Sequence, residues 1–83
     1  MNLPKRPKIG VYKTRNGSIV EVFAVHSSGW GIHGKYLTGP LKNNVDTWDD
    51  EPLRVWISSY DTDKEGFSIV ERIDKNEFPE YFL

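Results

Sequence analysis

Few residues in this 83-residue chain could build a metal or catalytic centre, and their spacing works against most such uses. Asp61-Thr62-Asp63-Lys64-Glu65-Gly66 opens like the D-x-D-x-x-G of a calcium loop. A complete EF-hand loop needs a bidentate Glu at its twelfth position, and counting from Asp61 reaches Arg72. The flanks also read as strands, so this run is expected to be a hairpin turn. His26 and His33 are the only histidines. An odd separation puts them on opposite faces of one continuous strand, although a turn between them can bring them together across a hairpin. A zinc site would still need further ligands from the acids. Ser27-Ser28 and Ser58-Ser59 supply hydroxyls, but no nucleophile-elbow sequence or phosphate-cradling glycine loop surrounds them. The chain is therefore expected to be non-enzymatic, with no metal and no cofactor.

Charge and aromatic side chains carry the stronger signal. Residues 1–43 hold seven Lys and Arg against one acid, a net of +6. Residues 44–83 hold four against eleven, a net of −7, so the overall −1 conceals two opposed halves. Two binding modes compete. The first is a protein partner: Arg54, Trp56 and Tyr60 are of the types enriched at interface hot spots. The acids Asp46, Asp49, Asp50 and Glu51 would steer a basic surface toward them. The second is nucleic acid, with Lys5, Arg6, Lys8, Lys13, Arg15 and Lys35 tracking phosphates and Tyr12, Trp30, Tyr36 or Trp56 stacking on bases. The slight overall acidity weighs against a dedicated nucleic-acid binder, which makes a larger protein the expected partner.

Other bounds come from size and composition. A chain this short buries only about 60–65% of its unfolded surface, so a single domain spanning residues 1–83 with one core is expected. It has no cysteine, and hence no disulfide or thiolate zinc site. Three Trp, four Tyr and four Phe supply the apolar volume instead. No apolar run of membrane-spanning length occurs, and the basic start is not followed by an apolar signal core. A cytoplasmic location is expected.

The elements follow from alternation and turn residues. Residues 1–8, with Pro4 and Pro7, read as an extended basic arm. A strand over 9–14 meets Asn16-Gly17, a hairpin signal for a type I′ turn. The next strand, 18–25, points Val20, Val22 and Ala24 inward and Glu21 outward, leaving Phe23 and Val25 on the Glu21 side in need of cover. A third strand over 30–37 sets Trp30, Ile32 and Tyr36 against His33 and Lys35, with Gly31 and Gly34 marking a bulge or close backbone approach. Residues 38–52 read as a long acidic loop. Residues 53–59 alternate, with Leu53, Val55 and Ile57 on one side and Arg54, Trp56 and Ser58 on the other, Tyr60 continuing the second set. A last strand covers 67–73, and the aromatic tail 74–83 is expected to hold a short helical turn. A free first or last strand would also allow edge-paired homodimers.

Five short strands, an early hairpin and one long loop predict a mainly β fold, a small five-stranded antiparallel SH3-like barrel, with an OB-like barrel as the alternative. The Gly10-Val11-Tyr12…Asn16-Gly17 hairpin and the Trp30-Gly31-Ile32-His33-Gly34 strand resemble the small SH3-like accessory proteins of phages and mobile elements. That resemblance covers about half of the chain. It implies a protein-binding accessory factor or inhibitor acting in the host cytoplasm.

Overall fold

A computed structural model describes residues 3–4, 6–27, 29–50, 55–60, 64–73 and 79. Six strands appear in it: β1 (Gly10–Thr14), β2 (Ile19–Val25), β3 (Ile32–Tyr36), β4 (Val45–Asp50), β5 (Trp56–Ser58) and β6 (Ile69–Arg72). Each pairs antiparallel with the next, and β6 returns to β1 to close a barrel. The expected helical turn within 74–83 falls, apart from Pro79, outside the described residues. First and last strands pair with each other, at Tyr12 with Arg72 and Lys13 with Glu71. Each of these two strands therefore has a paired neighbour on both sides within the barrel.

The sixth strand is β4, in the middle of the expected loop. Its inward positions are Asp46 and Trp48, so only one apolar residue marks the buried face. Alternation of hydrophobicity is the usual strand signal, and here a buried carboxylate interrupts it.

The β1–β2 connection also departs from expectation. Gly17 N–H donates to the Thr14 carbonyl (3.0 Å) and Thr14 N–H to the Ser18 carbonyl (2.9 Å). Gly17 has φ 92°, whereas Asn16 is not in the positive-φ region. This is a three-residue hairpin loop, in which only the last loop residue needs a left-handed backbone, and not the two-residue type I′ turn.

Tyr12, Val20, Val22, Ile32, Tyr36, Trp48, Trp56, Phe67 and Ile69 form the interior. Its rings meet at an angle: Tyr12 and Trp56 at 4.7 Å between centroids, Tyr36 with Trp48 and with Phe67 both at 5.6 Å. The Trp48 indole N–H donates to the Phe67 carbonyl (2.9 Å), so its polar edge is satisfied inside the apolar interior. Gly34 admits this packing. A Cβ there would lie 2.9 Å from both the Glu21 carbonyl oxygen and Val20 Cγ1, and 3.0 Å from Trp48 Cζ3. A smaller cluster of Val11, Ile19 and Ile73, joined by Leu37, covers the other face of β1 and β2.

A bulge in β2 changes the facing of its end. The β2–β3 register shifts between Val22 and Ala24, which leaves Phe23 as the extra residue. Val20 and Val22 point inward and Glu21 outward as expected. Past the bulge, Val25 turns to the interior, where it packs, like Leu3 of the arm, against the core. Phe23 stays outside, 53% exposed.

Candidate interaction cleft

One end of the barrel gathers charged and aromatic side chains from elements far apart in sequence. A cleft of about 480 Å³ opens there. The arm supplies Arg6 and Pro7, the end of β2 supplies Val25 and His26, and the end of β4 supplies Asp49 and Asp50. Ile32 at the start of β3 and the turn residues Ser27, Gly29 and Gly31 complete the lining. Asp49 holds the β2–β3 turn in place, its Oδ1 accepting the Trp30 N–H (3.2 Å). Trp30 there takes φ 57°, an unusual conformation for a bulky residue, and its side chain remains 42% exposed.

The two sets of charges expected to act separately meet in this cleft. Arg6 belongs to the basic set and Asp49 and Asp50 to the acidic one. Of the remaining basic residues, Lys8, Arg15 and Lys35 are exposed and Lys13 is half-buried. Lys13 Nζ lies 3.7 Å from Glu71 Oε1. Lys35 stands opposite Glu21 in the β2–β3 ladder, both facing solvent. Acids thus interleave with these two lysines on the sheet. Lys5 is outside the described residues, as are Arg54 and Glu51.

Several expected contact residues have other places. Trp56 is 1% exposed, not outward-facing. The alternation over 53–59 holds where it is described, but Trp56 and Ser58 mark the inner side while Val55 and Ile57 are half-exposed. Indole volume outweighs branched aliphatics in filling a small barrel. Tyr12 and Tyr36 are buried too, which leaves Trp30 as the solvent-facing aromatic of the expected stacking set. Tyr60 is 56% exposed, its hydroxyl donating to the Val45 carbonyl (3.2 Å).

Asp46 is no solvated loop acid. It is 3% exposed, and its carboxylate accepts from the hydroxyls of Tyr36 (2.6 Å), Ser58 (2.6 Å) and Ser59 (2.7 Å) and from the Thr47 N–H (2.6 Å). Ser58 and Ser59 therefore spend their hydroxyls on a structural carboxylate. Four donors replace the water a buried anion gives up.

His26 and His33 come edge to face across the β2–β3 hairpin, 5.2 Å between ring centroids. Among the described residues no group of three His, Asp or Glu could hold a metal ion. Asp61 and Asp63 of the calcium-like run lie outside them. Phe23 faces outward as expected, but the inward turn of Val25 and the meeting of His26 with Asp49 and Asp50 were not legible in the sequence, because a bulge and an unrecognised strand created them. Comparison with protein-family models, curated proteins and solved structures finds no match to this chain.

Proposed function

We propose that this protein is a non-enzymatic interaction module whose cleft beside Trp30 binds another protein. The observation carrying this reading is the mixed charge of the cleft, with Arg6 lining it together with Asp49 and Asp50. A polyphosphate backbone entering it would meet two carboxylates, whereas a protein surface carries both signs and can answer each. An exposed Trp next to a charged depression is the kind of anchor that dominates binding energy. The strand order, sequential all the way round, supports an SH3-like barrel over the Greek-key order of an OB fold. A phage-type accessory or inhibitor role is the biological form of this reading.

Affinity capture from the native cell with wild-type protein and the variants Trp30→Ala and Asp49→Asn/Asp50→Asn tests it. The expected result is a defined protein complex, resistant to nuclease, weakened by about 2 kcal/mol in Trp30→Ala. Recovery only of nuclease-sensitive material, with affinity falling steeply as salt rises, would assign the protein to nucleic acid through Arg6, Lys8, Arg15 and Lys35 instead.

A further inference from the structure

The β1–β2 turn carries a chemistry unrelated to binding. Asn followed by Gly is the pair in which an unhindered backbone nitrogen most readily attacks the preceding side-chain amide. The nitrogen of Gly17 bonds to Cγ of Asn16, ammonia leaves, and a five-membered succinimide results. Water then opens either imide carbonyl, giving Asp or an isoaspartyl link. Overall, one water is consumed and one ammonia released, with no oxidant or cofactor.

In the folded chain every group in that step is engaged. Asn16 Oδ1 accepts from Thr14 Oγ1 (2.7 Å), Ser18 Oγ (2.8 Å) and the Ser18 N–H (3.1 Å). Asn16 Nδ2 donates to the Glu65 carbonyl (3.0 Å), and the Asn16 N–H to the Gly66 carbonyl (2.9 Å). The nucleophile is occupied as well, since the Gly17 N–H donates to the Thr14 carbonyl. Rotating the Asn16 side chain toward Gly17 would break the side-chain bonds together. Gly66 also leaves no slack, because even a Cβ there would come within 2.9 Å of Asn16 Cβ.

We infer that Asn16-Gly17 is a latent deamidation site, which the fold keeps closed and which opens only when this turn separates from residues 65–66. Modification is then one-way. A carboxylate in place of the Asn16 amide has no donor for the Glu65 carbonyl, and an isoaspartyl link adds a methylene to the main chain of a three-residue loop. Neither product can rebuild the lock.

The test compares the full chain folded and in urea, at one mildly alkaline pH, following Asn16 conversion by peptide mapping. Folded protein is expected to convert at least about tenfold more slowly, the closed turn limiting access as local opening limits hydrogen exchange. A smaller difference overturns the inference. The Asn16→Asp variant is expected to unfold at lower denaturant than wild type, and an unchanged midpoint would overturn the one-way character. Asn16→Ser, which can neither deamidate nor carry charge, separates loss of the side-chain bonds from the effect of the new carboxylate.

Discussion

Tyr12 shows how far a single residue here is governed by its surroundings. Its ring is fully buried beside Trp56, and its hydroxyl donates to the Lys8 carbonyl (2.7 Å). Burial, opposed in part by the charge of its cross-strand neighbour Arg72, pushes its pKa up from 10.0 to about 12. A raised phenol favours the neutral form in the folded state. The corresponding stability is therefore complete below pH 10, the unfolded value, and lost as pH climbs through the folded value near 12. A rise of that size corresponds to about 2–3 kcal/mol. Denaturation midpoints across that alkaline window should fall for wild type and fall less for Tyr12→Phe; parallel curves would show that the buried phenol is not responsible. The sequence offers this residue as a stacking surface. Its place in the interior follows from alternation within β1, which the pattern of Val11, Tyr12 and Lys13 alone leaves ambiguous because both faces of β1 carry apolar neighbours.

At the scale of the element, β4 is the instructive case. It joins β3 to β5, and Asp46 is the fastening: Tyr36 approaches from β3, Ser58 from β5 and Ser59 just beyond it. Removing the carboxylate in Asp46→Ala leaves the buried hydroxyls of Tyr36 and Ser58 without their acceptor in an interior shielded from solvent. A loss of about 3 kcal/mol in denaturant unfolding is expected. A loss below about 1 kcal/mol would mean the hydroxyls find other acceptors. The β1–β2 hairpin, the inward Val20 and Val22 of β2 and the close approach at Gly34 were legible because glycine and branched residues report backbone geometry directly. β4 was not, because its sequence Val-Asp-Thr-Trp-Asp-Asp carries the composition of a loop. The cleft was hidden with it, since Asp49 and Asp50 reach the Trp30 turn only once β4 lies beside β3.

At the scale of the whole barrel, pairing among the described residues is uneven. β1 through β4 pair over extended registers, whereas among the described residues β5 and β6 meet at the single bridge between Trp56 and Ile69. Opening should therefore begin at that seam, where the fewest hydrogen bonds must break. Native-state hydrogen exchange is expected to show β5 amides exchanging through a lower-energy opening than those of β2 and β3. Equal protection in all strands would indicate one cooperative unit instead. The cleft lies between elements on the better-sealed side, at the ends of β2, β3 and β4. Its shape can therefore persist while the seam fluctuates.

The β3–β4 hairpin has a practical side. The cleft is found where β3 starts and β4 finishes, and the reversing segment between them, residues 37–44, sits at the far end. Lys42 is exposed there, in a segment tied back by its own N–H to the Gly39 carbonyl. A dye or surface tether attached through Lys42 would leave the mouth of the depression unobstructed. A tag fused ahead of Leu3 would instead be anchored a few residues from Arg6, crowding the very surface an assay needs to read.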